Sequence, residues 1–137
     1  MMGLDLPAFA DAEEVMWSLL STIGPPVVKG TPPLINPPII LIRRLGGHCD
    51  YITDFPQMQV TAIGATRPAS TALQLQIQRT IENAFATEVT LPDNSVVLID
   101  GTQTLTSGHP QLYENVDLRE IAGVYLLKMR RPIVAAH

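Results

Sequence analysis

Residues 39–64 read IILIRRLGGHCDYITDFPQMQVTAIG, two apolar segments on either side of a polar one. Residues 39–45 are β-branched and apolar on both faces, the composition of a central strand, and Gly46-Gly47 is read as its end. Residues 57–64 alternate, with Met58, Val60 and Ala62 on one side and Gln59, Thr61 and Ile63 on the other, which predicts a strand with one wetter face. Residues 46–56 then form a long polar connection between two strands. It holds a histidine, the only cysteine and two aspartates.

The next segment changes period. Thr66 is placed to cap a helix over residues 66–85, Pro68 fits its first turn, and Leu73, Ile77, Ile81 and Phe85 recur every four residues. Gln74, Gln78, Arg79 and Glu82 are assigned to the opposite, solvated face. Residues 87–91 and 95–99 bracket Pro92-Asp93-Asn94, a hairpin signal, and residues 102–115 look polar and irregular. Residues 119–131 alternate again: Ile121, Gly123, Tyr125, Leu127 and Met129 against Ala122, Val124, Leu126, Lys128 and Arg130. Thirteen residues extend about 43 Å at ~3.3 Å each, so part of this strand is expected to run outside the domain's own sheet.

Upstream, Asp11 is read as an N-cap with Glu14 as its capping-box partner, followed by an apolar stripe of Val15, Met16, Leu19, Leu20 and Ile23. Gly24 and Pro25-Pro26 stop that helix, and residues 24–38 carry six prolines that leave room only for a short extended piece at 27–29. Trp17 lies off the stripe and either covers a sheet edge or anchors a partner. Nothing repeats as strand-helix-strand. The predicted architecture is α+β: a mainly antiparallel sheet with two helices on one face, plus a β-hairpin. Its expected layout is an arm at 1–10, one domain at 11–132 and a tail at 133–137.

Composition narrows the function classes. The chain has 137 residues, 46% apolar and 16% charged, with a net charge of −4. That suits one globular domain, with an apolar excess that burial against partners would absorb. Asp5, Asp11, Glu13 and Glu14 account for the net charge, so no basic surface for nucleic acid is written into the remainder. Seven of the nine basic residues are arginine, which favours fixed carboxylate pairs and interfaces. A single cysteine excludes an internal disulfide and fits a reducing compartment. The longest apolar run, residues 39–42, is too short for a membrane span, and the acidic N-terminus is unlike a signal peptide.

Candidate chemistry is sparse. His48, Cys49 and Asp50 are adjacent, and consecutive side chains of an extended segment point apart, whereas a metal needs three or four converging ligands. A Cys49–His109 pair has nothing to orient the imidazole, and no phosphate-binding glycine motif is present. Arg43-Arg44 is read as pairing with Asp50, Asp54 or Asp117 rather than clamping phosphate. Met58, Tyr125 and Met129 are assigned to core.

The stretch from Pro37 to Ile81, with its Arg44-Leu45-Gly46-Gly47 turn, its Asp54 and Pro56, and its Ala65-Thr66-Arg67 strand-to-helix junction, resembles the core of tail terminator proteins of long-tailed bacteriophages, especially actinobacterial ones. YENVDLREIAGVYLLKMRRP, residues 113–132, is similar to that family's closing segment, and the likeness extends over residues 11–132. The resemblance implies a ring-forming structural protein of the virion: a homo-hexamer at the head-proximal end of the tail, assembled in the host cytoplasm. It would stop tube polymerisation by contacting the major tail tube protein and a head-side connector or stopper. DNA would pass through its lumen without specific binding, with no cofactor, no catalysis and no membrane. Under this reading the subunit and tube interface draws on Arg43, Arg44, His48, Asp50, Tyr51, Asp54, Arg67, Glu114, Asp117, Arg119, Arg130 and Arg131. Residues 46–56 are then expected to project from the sheet. Two other classes compete: another ring of the neck or tail, such as a connector or tube subunit, and a small ligand-binding or enzymatic α+β domain.

Overall fold

The structure, a computed structural model, describes residues 8–29, 36–50, 52–110 and 119–134. Asp11 caps helix α1 (Ala12–Leu20) by accepting the Glu13 N–H at 2.9 Å, and a 3-10 turn (Ser21–Ile23) follows. Glu14 does not close a capping box. Its carboxylate pairs with Lys29 instead, because the chain returns beside the helix as strand β1 (Val27–Lys29). Ala12, Val15, Met16 and Leu20 are buried, the stripe the spacing predicts.

Strand β2 (Ile39–Cys49) does not stop at the two glycines. It passes through a bulge at Leu45 and continues to Cys49, antiparallel to β3 (Thr53–Gly64), so that His48 faces Phe55 and Cys49 faces Asp54. The expected wetter face of β3 holds only at Gln57 and Gln59, since Thr61 and Ile63 are buried. Thr66 caps helix α2 (Arg67–Glu82), accepting the Ala69 N–H at 3.2 Å, and Leu73, Ile77 and Ile81 are buried. Phe85 departs from the predicted stripe: the helix ends at Glu82, Asn83 caps it, and Phe85 is 72% exposed.

The hairpin of β4 (Thr87–Thr90) and β5 (Ser95–Pro110) turns where its sequence predicts. The Asp93 carboxylate accepts from the Ser95 hydroxyl at 2.5 Å and its N–H at 2.9 Å, and these bonds hold the carboxyl below the usual aspartate range. The irregular segment expected after residue 102 is ordinary strand instead. β5 runs for 16 residues, interrupted by bulges, beside β6 (Arg119–Arg130). Nor does β6 leave the sheet, for β3 flanks it on one side and β5 on the other along its length. Past Pro132, at the start of the expected C-terminal tail, β7 (Ile133–Val134) pairs with Ser95 and Val96 of β5.

The sheet order is β1-β2-β3-β6-β5-β4, with β7 beside the start of β5, and every pairing is antiparallel except β1–β2. Both helices lie on one face, over a single core of Ile40, Ile42, Met58, Val60, Leu127 and Met129 among others. The α+β architecture with two helices on one face is therefore the observed one.

Gln74, expected on the solvated face of α2, is 3% exposed and donates its amide N–H to the Tyr125 hydroxyl at 2.6 Å. A helix lying across strands buries more than its strictly apolar stripe, and the tyrosine at its centre supplies the polar partner. Burial pushes the Tyr125 phenol up to about 12, with the Gln74 contact opposing. The folded-state value is raised above the ordinary 10, so its stabilisation is complete below pH 10 and is lost as pH rises toward 12. We expect Tyr125→Phe to cost about 1–2 kcal/mol at neutral pH by stranding the Gln74 amide. It should also flatten the loss of stability between pH 10 and 12, measured by urea unfolding at each pH.

Candidate functional site

The polar residues of 43–57 meet in an ordered β-hairpin. Asp54 is 2% exposed and takes a bidentate pair from Arg44: Nη1 to Oδ2 and Nη2 to Oδ1, both at 3.1 Å. Arg44 also donates from Nε to the Gly46 carbonyl at 3.0 Å, and its backbone N–H donates to Glu13 at 3.2 Å. One arginine thus ties together the bulge and the facing strand through its guanidinium and helix α1 through its backbone N–H. The planar five-donor fork of arginine makes this possible where lysine would not.

Around this pair, His48 stacks on Phe55 with centroids 4.7 Å apart, and Arg43 donates to Gln59 at 3.2 Å. Asp50 Oδ1 accepts from the Thr53 N–H at 2.7 Å and the Ile52 N–H at 2.8 Å, which builds the turn and lowers the Asp50 pKa. The expected projection of residues 46–56 is not seen. Thr53 and Asp54 pair with Arg130 and Met129, so only the turn stands beyond the strands, with Ile52 63% exposed at its tip.

His48 is occupied by a ring stack, Asp50 by its own turn, and Cys49 is exposed. Among the described residues no group of three or more ligating side chains converges. Cys49 and His109 lie in sheet rows seven β3 residues apart, at Asp54 and Thr61, or about 23 Å along the strands.

The remaining predicted residues are distributed. Arg67 opens α2 and is exposed; Arg130 donates to Asp100 at 2.9 Å; Arg131 lies over the Phe9 ring at 4.1 Å. The Arg119 backbone pairs with Gly64. Tyr51, Glu114 and Asp117 lie outside the described residues. The structure therefore joins Arg44 with Asp54, brings Arg43, His48 and Asp50 into the same hairpin and sets Arg130 opposite Thr53 beside it, but leaves Arg67 and Arg119 at the other end of the sheet.

Two features were missed by sequence reading. One is the outer edge of β5 beyond Ile99, where β4 ends and no other described strand pairs. The other is a groove of about 340 Å³ between that edge and α2, containing Gln74 and Ser107. The alternating threonines of TQTLT, residues 102–106, were the available signal for a strand there.

A profile of the phage tail termination protein family matches residues 8–134, nearly the whole chain. The chain belongs to the phage tail termination protein family. No curated protein matches it. Members of this family are structural proteins of the virion, and a tail terminator works through contacts with other tail and head components. No described helix of this tail terminator is long and apolar enough to cross a membrane.

Proposed function

We propose that this tail terminator closes into a hexameric ring on the head-proximal end of the tail tube of a long-tailed phage of the actinobacterial type. The ring ends tube polymerisation and offers its other face to the head-side connector or stopper. DNA passes through the lumen without being gripped, in keeping with a net charge of −4. The family match over residues 8–134 carries this reading. The arginine-rich polar residues of the hairpin and of α2 and β6 serve as its subunit and tube contacts.

The test is electron microscopy of tails assembled with and without the protein. Without it, tubes should elongate past their normal length with no uniform end. With it, tubes should stop at one length and carry a closed ring at one tip. Tails of normal, uniform length in its absence would overturn the reading.

A further inference from the structure

The groove of about 340 Å³ between α2 and β5 is lined from the helix by Arg67, Thr71, Gln74, Leu75 and Gln78, which share one helical face. Arg67 is the only charged residue in its lining. It is exposed in the first turn of α2 and has no hydrogen-bond or ion-pair partner among the described residues. Leu75, eight residues or about 12 Å further along the helix, is 48% exposed. Gln74 beside it is buried, and its Oε1 has no hydrogen-bond partner among the described residues, although its amide N–H is bound to Tyr125. A free cation, an apolar side chain about 12 Å away and an unserved acceptor call for an occupant with one carboxylate, apolar residues at a matching distance and backbone donors.

The chain itself carries such a segment. Residues 1–7 read MMGLDLP, in which Asp5 is the one ionisable side chain and Met2, Leu4 and Leu6 alternate with Gly3 and Asp5. Pro7 biases Leu6 toward an extended backbone. In an extended chain Met2 and Asp5 stand about 10 Å apart, close to the separation of Leu75 from Arg67.

A copy does not bring its own Asp5 to its own groove. Ala8, Phe9 and Ala10 line a hollow with Leu91, Pro92 and Ser95 at the β4–β5 turn, and Arg131 lies over the Phe9 ring at 4.1 Å. Asp5 is three residues from Ala8, so it reaches at most about 11 Å from there. The groove is at the other end of β5. Ser95 pairs with Val134, whereas Thr106, next to the groove, pairs with Val124, ten residues away or about 33 Å along the strands. An Asp5 that meets Arg67 therefore belongs to another copy, whose β4–β5 turn stands beside the start of α2.

We propose that residues 2–6 of one copy lie in the α2–β5 groove of the next, with the Asp5 carboxylate on the Arg67 guanidinium and the apolar residues of the arm against Leu75. The inference rests on the ring reading above and names one of its contacts. The positive end of α2 adds to the attraction of Arg67 for a carboxylate. The contact is heterologous, an arm meeting a groove, which is the kind that propagates into a closed ring.

The test reverses the charges in the full chain and measures ring yield by native mass spectrometry. Asp5→Arg and Arg67→Asp should each weaken the contact about tenfold, and the two changes in one chain should restore the parent yield. A second measurement uses a Cys49→Ser background. Leu4→Cys mixed with Thr71→Cys should give a disulfide-linked dimer under mild oxidation, neither alone should, and a chain carrying both should give a ladder of bands ending at the ring number. Rings unaffected by the single reversals, or lost in them and not recovered by the pair, would overturn the arm assignment and leave the ring standing. So would a Leu4→Cys to Thr71→Cys link formed only within one chain. A parent protein that stays monomeric even on tail tips would remove ring and contact together.

Discussion

Arg44→Met should lower the stability of the protein by about 3–4 kcal/mol, because it leaves the Asp54 carboxylate in the sheet with no counter-charge. The two partners are not equivalent. The Arg44 side chain is 35% exposed and that of Asp54 3%, so water can serve the guanidinium if the aspartate is lost but cannot serve the carboxylate if the arginine is lost. Asp54→Asn, which keeps shape and some hydrogen bonding, should cost about 1–2 kcal/mol. Removing both charges together, as Arg44→Met with Asp54→Leu, should recover much of the loss, since a buried pair often only breaks even against an apolar one. Urea unfolding with a common slope reads all three. If Arg44→Met stayed within about 1 kcal/mol of the parent, the pair would be an ornament of the surface rather than the tie of the hairpin.

The same pair changes what the aspartates of the hairpin can do for assembly. Asp50 is spent on its own turn in full solvent, so Asp50→Ala loosens only residues 50–53. Asp54→Ala releases Arg44, and with it the bond to Gly46 that supports the bulge. Loss of tail capping in a double alanine variant would therefore report on a disordered hairpin as much as on a missing contact. Asp50→Ala alone, with its fold intact, is the cleaner probe of docking by the tip.

What could be read from sequence follows from which forces are local. The helix starts were legible because capping is decided within three residues: Asp11 and Thr66 each hold an N–H of their own first turn. The alternation of β6 was legible because a strand buried on one face repeats every two residues, and Tyr125, Leu127 and Met129 are all fully buried. The residues misread are those whose state depends on a distant partner. Gln74 is buried because Tyr125, 51 positions away, offers it a hydroxyl. Glu14 leaves its cap because β1 delivers Lys29. Residues 102–110 become strand because β6 lies beside them, although their own composition is polar. For the candidate site the gap is wider. The hairpin cluster was visible as a concentration of polar residues, but an open edge is a property of the whole sheet order, which no stretch of β5 or β1 carries by itself.

The pair of glycines that sequence reading took for the end of a strand should prove among the least replaceable positions in the chain. Gly47 sits at φ +109 and a side-chain carbon built there would stand 2.1 Å from the Phe55 carbonyl oxygen and 2.9 Å from the Pro56 Cα. Two costs then add for Gly47→Ala. A non-glycine residue held at such a φ costs about 1–3 kcal/mol, and moving a neighbouring backbone to admit the methyl costs a further ~1–3 kcal/mol. The sum is about 2–6 kcal/mol, and it falls in the row next to the His48–Phe55 stack, within the span of the Arg44–Asp54 tie. Gly46 is the internal control. Its φ is also positive, at +156, but nothing lies within 4 Å of the position of its absent Cβ, so Gly46→Ala carries backbone strain without collision and should cost about 1 kcal/mol. Urea unfolding gives the difference, and amide exchange at Ile52 and Thr53 locates it. Faster exchange there in Gly47→Ala, with the β5–β6 amides unchanged, marks a hairpin forced open at its neck. Equal losses from the two substitutions would show that the strand approach is not what requires glycine at 47.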